Sequence, residues 1–417
     1  MKVLPQGFLV TLTSLFLLTL PLAIQASKDL NKTSRISKST PKPARFVVRN
    51  GKVLDIKKQR PVFFKGIGYS PFLPGETPLQ GASPGNDERY QEHLHLMQKM
   101  GINYLHVFPL KMPEKFFGQL DRTDIFYSQD IWMFPYAEDF LDKKYLDWKW
   151  SIIKEAIDHT YRVGRPDRLV FFSIGDELQA ESVARTDARH PEISSFKGKH
   201  IQVSNRTPTE IALAQLIDKA IDYELKTYGR RHLYCHTSWT HIGPLKRDDL
   251  EVPPASALLP DIGDLVCLNI YTYARGVVTS PPGSVTRSAY QGYLEELASI
   301  TDKPIFITQV GLSTSPFQPK PKTAPGFGGH KEQLVITTFK AIWKDLQTAK
   351  NKQKIAGIAF FEFQDEWWKS GEDPTDSTRH EREDPEEWFG IFEISTDRKL
   401  KPKGKIPETL RKLFDSQ

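Results

Sequence analysis

From Val62 to Phe363 the chain keeps repeating one phrase, a short unbroken apolar run followed by a longer stretch in which apolar residues recur every third or fourth position. A period near 3.6 marks a helix with one buried stripe, and a short continuous apolar run marks a strand covered on both faces. This spacing predicts a helix over 87–100, with Tyr90, Leu94 and Met97 on one face, Asn86 as N-cap and Gly101 just past its end. A second helix is predicted over 143–163, striped by Leu146, Trp150, Ile153 and Ile157 and stopped by Gly164. Thr207-Pro208-Thr209-Glu210 has the form of a capping box with proline at the first helical position, opening a helix through Tyr228 that Gly229 ends. Two more are predicted near 288–299 and 330–348, the latter striped by Val335, Phe339, Ile342 and Leu346.

The apolar runs are Val62 to Gly68, then INYLHVF, TDIFYSQDIWM, RLVFFSIGDE, RHLYCHTSW, DLVCLNIY, PIFITQVG and IAGIAFFEF, eight strands in all. Eight successive strand–helix units predict a closed parallel (β/α)8 TIM barrel. An open doubly wound sheet is the alternative, and it lacks the glycine-rich phosphate loop that would support it. Ahead of the barrel, Asn50-Gly51 sits between two β-rich runs as a type I′ turn would, so the expected fold class is an α/β TIM barrel with an N-terminal β-hairpin.

The ends of the chain refine this. Lys2, the apolar run Phe8 to Ile24 and Ala26 read as a secretory signal over residues 1–26, with a retained anchor as the alternative. Residues 27–45 are polar and proline-containing, with six basic residues against the single Asp29, and are expected to be a disordered basic linker. The domain proper is then 46–417, with no membrane association after signal cleavage and a secreted or periplasmic location. The formal charge of +6 resides in Lys2 and the linker, because 46–417 holds 50 basic and 50 acidic residues. A neutral domain has no electrostatic footprint for nucleic acid. Cys235 and Cys267, the two cysteines, lie in apolar strands as buried thiols or as a single bridge. His106, His236 and His241 lack metal-ligand spacing, and no G-x-S-x-G elbow is present, so neither metal nor cofactor is expected.

A parallel barrel builds its site at the C-terminal ends of its strands, where each apolar run turns polar. Those positions are Tyr69, His106, Asp130, Trp132, Asp176, Glu177, His236, Trp239, Asn269, Tyr271, Gln309, Glu362, Asp365, Glu366, Trp367 and Trp368. Glu177 stands out, since it ends a strand too apolar to carry an acid for solubility, and a half-buried glutamate suits proton donation. Acids beside flat aromatic surface, as in Asp365-Glu366-Trp367-Trp368, are the means by which sugars are held.

The chain from Phe46 to Leu413 resembles the retaining (β/α)8 glycoside hydrolases of the large clan that includes family 2, family 5 and the β-1,3-glucanosyltransferases. PVFFKGIGYSP and GINYLHVF look like the first two strands of that clan, and FFSIGDE is similar to a strand-4 motif that normally ends Asn-Glu. KPIFITQVG is similar to a strand-7 motif that normally reads Thr-Glu-x-Gly, and FFEFQDEWWKSG with DPEEWFGIF looks like strand 8 and its loop. The resemblance implies Glu177 as general acid/base, Tyr271 beside the nucleophile, and Gln309 at the nucleophile's position. An amide cannot form the covalent glycosyl-enzyme, and the two-carboxylate retaining mechanism needs a second acid about 5–5.5 Å from the first. Asp176 replaces the motif's Asn, and His106 replaces an Arg that supports the nucleophile. The resemblance implies an oligo- or polysaccharide as partner. Three readings follow: hydrolysis with Asp176 or a strand-8 acid as replacement, hydrolysis assisted by an N-acetyl group of the substrate, or an inactive barrel that binds a glycan or a protein.

Overall fold

The computed structural model describes residues 42–78, 87–132, 136–272, 288–317, 328–369 and 377–416. Its centre is a closed barrel of β1 (Phe64–Tyr69), β2 (Tyr104–Val107), β3 (Phe126–Ile131), β4 (Leu169–Asp176), β5 (Leu233–Trp239), β6 (Val266–Asn269), β7 (Ile305–Val310) and β8 (Ile355–Phe360). Each strand pairs in parallel with the next, and β8 pairs with β1, Gly357 opposite Phe64, to close the ring.

Among the described residues the helices are α1 (Asp87–Lys99), α2 (Glu114–Leu120), α3 (Lys143–Arg162), α4 (Ala180–Arg189), α5 (Pro208–Tyr228), α6 (Ala289–Ile300), α7 (Glu332–Thr348) and α8 (Ile406–Asp415). The five helices that periodicity predicts are present. The capping box forms as read, Thr207 accepting from the Glu210 amide and Glu210 reaching back to the Thr207 amide, and Gly229 ends the helix at φ +63°. The expected N-cap Asn86 lies outside the described residues. Short α2, polar α4 and the C-terminal α8 are additions that the sequence reading did not foresee. Between β5 and β6 the chain makes only a 3-10 turn, Pro254–Ser256.

The core has two layers. Inside the barrel, Phe64, Tyr104, Phe126, Phe171, Leu233, Cys235, Cys267 and Phe306 pack together, and both cysteines are buried and unbridged. Outside it, the helix stripes cover the outward residues of the strands. Residues 46–61 form a three-stranded ribbon turned at Asn50-Gly51, both with positive φ. Phe46 sits edge-on against Phe64 and Phe126 at 5.5 and 5.0 Å, so this ribbon caps the end of the barrel opposite the strands' C-termini.

The ordered chain begins before Phe46. Lys42–Pro43 pairs in parallel with Arg230–Arg231, and Arg45 makes a 2.7 Å ion pair with the buried Asp55, so the last part of the expected linker belongs to the fold. A guanidinium that can neutralise a buried carboxylate is worth ordering; composition alone reads it as a solvated charge. The predicted signal and the linker through residue 41 lie outside the described residues. Among the described residues no helix is long and apolar enough to cross a membrane.

Candidate active site

At the C-terminal end of β4 the backbone departs from strand geometry. Gly175 has φ +78° and Glu177, an L-residue that rarely goes there, has φ +47°. Successive side chains of a regular strand face opposite sides. The two left-handed residues flanking Asp176 break that alternation and bring Asp176 and Glu177 to the same neighbour. That neighbour is Asn269 at the end of β6, whose Nδ2 donates to Asp176 Oδ1 and to Glu177 Oε1 at 2.8 Å each. The Asn269 amide cannot be turned over, because its Oδ1 accepts from the Thr308 hydroxyl at 2.7 Å.

Gln309, at the end of β7 and opposite Asn269 in the ladder, completes the group. Its Oε1 accepts from the Tyr271 hydroxyl at 2.8 Å, and its Nε2 donates to Asp176 Oδ2 at 3.0 Å. Gln309 is only 7% exposed and Asp176 3%. Both Asp176 oxygens therefore accept from amides, and positions 176 and 309 are joined by a direct hydrogen bond.

Burial pushes the carboxyl groups of this floor up. Asp176 lies well above the usual carboxylate range through burial, with the Asp130 and Glu177 charges adding to it. Glu177 is raised by burial, while the Asn269 amide and the charges of His241 and Lys369 draw it back. A glutamate whose proton is held more tightly than usual suits a general acid.

Below lies a second polar tier. Asp130, at the end of β3, is fully buried and raised by burial and then by the Glu177 charge. His106 on β2 has Nδ1 on Ser128 Oγ at 2.7 Å, with the Tyr104 hydroxyl close by at 3.3 Å, and burial lowers its pKa to about 3.

Other sequence-predicted positions lie elsewhere. Tyr69 points outward, its hydroxyl on His93 of α1 at 3.0 Å, because β1 there presents an apolar face to α1 and α2; it is a core residue. His236 is buried with Nδ1 on the Ile174 carbonyl at 3.0 Å. Asp365 lies under the cleft, ion-paired with the buried Lys403 at 2.5 Å and accepting from the Gly390 amide. Trp367 is buried and stacked on His380, which in turn stacks on Trp388. Glu366 is paired with Lys369 at 2.9 Å, and Glu362 is enclosed beside it. Of the strand-8 acids, Asp365 and Glu366 are ion-paired, while Glu362 is buried with neither oxygen hydrogen-bonded.

The mouth does carry aromatic faces. Trp132 is 45% exposed, Trp239 stacks on His241 with its Nε1 on the Leu178 carbonyl, and Tyr271 and Trp368 are half-buried. Such surfaces stack on the C–H faces of rings. Sequence reasoning missed Lys369 and Glu386, whose charges reach Glu177, and Thr308, which orients Asn269. Lys369 directly follows the Trp pair, a signal that was available; Glu386 comes from a distant turn of the chain, and nothing local marks it.

No protein-family model matches the chain, and no curated protein matches it in sequence. Solved structures do match in fold. A glycoside hydrolase family 2 β-galacturonidase from Eisenbergiella tayi, bound to galacturonate, is 15% identical with a TM-score of 0.55 over 89% of this chain and 54% of its own. The Ruminococcus gnavus β-glucuronidase is 13% identical with a TM-score of 0.56, covering 88% of this chain and 52% of that one. A mutant of Saccharomyces cerevisiae Gas2p in complex with laminaritetraose and laminaripentaose is 12% identical with a TM-score of 0.53, covering 89% and 67%. The chain spans about half the length of the two uronidases. At these identities the likeness is one of fold, a barrel of the glycoside hydrolase type.

Proposed function

We propose that the chain is an exported glycosidase or transglycosidase acting on an oligo- or polysaccharide, with Glu177 as general acid/base and Asp176, in place of residue 309, as the second carboxylate. The observation that carries this reading is the bridge at Asn269, one nitrogen holding an oxygen of each acid at 2.8 Å. The two oxygens are therefore at most two hydrogen-bond lengths apart, a ceiling close to the roughly 5–5.5 Å at which retaining pairs work. Glu177 protonates the glycosidic oxygen as the C–O bond breaks, and the electron-poor anomeric carbon is met by the Asp176 carboxylate. Glu177, now ionised, then takes a proton from the water or acceptor hydroxyl that displaces Asp176. The nucleophile's role requires Asp176 to ionise against the burial that raises it, and the neutral amides of Asn269 and Gln309, both donating to its oxygens, are the groups that favour and orient that anion.

A second reading, a barrel that binds glycan without cleaving it, is favoured by the 3% exposure of Asp176 and the commitment of both its oxygens to amides. Product analysis on galacturonides, glucuronides, laminari-oligosaccharides and N-acetylated oligosaccharides separates the two. The enzyme reading expects cleaved or elongated products, and Glu177→Gln lowering turnover by about 10²–10⁴-fold with binding intact. Binding by the parent chain with no product from any of them overturns it in favour of the binding barrel.

A further inference from the structure

The tier beneath Asn269 presents a different chemistry. A ring nitrogen of His106, an oxygen of Asp130 and an oxygen of Asp176 all lie within 4.8 Å of one another. They come from β2, β3 and β4, adjacent strands of one rigid barrel, and all three residues are buried. His106 Nε2 has no hydrogen-bond partner, and Asp130 meets the Ser173 hydroxyl and the Ile131 amide but no cation. Among the described residues no lysine or arginine pairs with Asp130 or Asp176. Two buried carboxylates and an unused imidazole nitrogen thus converge where burial makes unpaired acceptors expensive.

We propose that His106, Asp130 and Asp176 form a three-ligand site for one divalent first-row cation, with zinc the best match to one imidazole and two carboxylates. Ligand atoms about 2.0–2.2 Å from a common ion fall within the span these three already have. The outer contacts are those that ligands need. In the tautomer with its proton on Nδ1, facing Ser128 Oγ at 2.7 Å, His106 keeps the Nε2 lone pair for a cation, and Asp176 is oriented by Asn269 and Gln309. Three protein ligands leave a fourth position for water or a substrate oxygen. The cation supplies a positive charge to Asp130 and Asp176, which no lysine or arginine among the described residues pairs. A cation held by Asp176 takes that carboxylate away from the nucleophile's role proposed above, so the site stands apart from that reading, and its test uses no sugar.

The full chain is stripped with chelator, titrated with zinc or cobalt(II), and assayed by elemental analysis, visible spectroscopy and thermal unfolding. One equivalent bound is expected, with cobalt d–d bands of a nitrogen–oxygen site and a rise in Tm on metal addition. His106→Ala and the near-isosteric Asp130→Asn are each expected to weaken binding by about 100-fold or more. No uptake by the parent, or uptake that both variants retain, overturns the site. A thiolate-to-cobalt charge-transfer band also overturns it, by placing the ion on Cys235 or Cys267; this readout needs only the parent chain and holds even where a variant fails to fold.

Discussion

Gln309 and Asp176 are held to each other by a 3.0 Å hydrogen bond that only an amide and a carboxylate can make in this arrangement. The motif that the sequence resembles has Asn and Glu at these two places, so amide and acid have traded positions across one contact. Gln309→Glu alone would set two buried carboxylates together, and is expected to cost about 1–3 kcal/mol. Asp176→Asn with Gln309→Glu exchanges the partners back and should recover most of that loss. Urea unfolding of the four proteins in the cycle measures the coupling, expected at about 0.5–3 kcal/mol; additive losses would show that the two positions do not act as a pair. Glu177 carries strain of its own at φ +47°. Glu177→Gly is expected to be more stable than Glu177→Gln by about 0.5–1 kcal/mol while equally inactive, a cost of the kind that functional positions retain. The identity of this pair was legible in the sequence as two departures from a motif. Their contact was not, since it depends on the bulged end of β4.

The loop after β8 shows where sequence reading stops. Acids and tryptophans in one run look like a sugar-binding edge, yet their partners come from further along: Lys403 for Asp365, and His380 for Trp367. The strands were legible because burial on both faces writes itself into consecutive residues. The role of a loop residue depends on which distant side chain reaches it. Lys403→Met should therefore cost about 3–5 kcal/mol by leaving Asp365 buried without its cation, checked by chemical denaturation. A pH effect belongs to the same loop. Burial pushes the Glu387 carboxyl from its ordinary 4.5 up to about 8, so the folded chain holds this proton more tightly than the unfolded one. Its contribution to stability is complete below the ordinary value and is lost as pH rises through about 8. Glu387→Gln, always neutral, should flatten the fall in Tm between about pH 5 and 9; parallel Tm profiles would refute the assignment.

On the scale of the molecule, one seam distinguishes the closed barrel from its sequence order. Every neighbouring pair of strands is consecutive along the chain except β8 with β1, and that pair closes the largest loop. Helix α8 lies over this seam. Phe414 packs on Trp343 of α7 at 5.4 Å and on Phe360 of β8 at 6.0 Å, and its carbonyl accepts from the Lys65 ammonium of β1. Ile406, Leu410 and Phe414 are all buried. The helix therefore joins the first strand to the last, a role invisible to a reading that counts strand–helix units and stops at the eighth strand. Phe414→Ala is expected to cost about 3–5 kcal/mol. If α8 acts as a clasp, the loss should be local before it is global. Amides of β1 and β8 should exchange with solvent faster by a larger factor than those of β4 and β5, which pair with each other on the far side of the ring. Native-state hydrogen exchange reads this strand by strand, and uniform acceleration around the barrel would mean that α8 adds only its share of a single cooperative core.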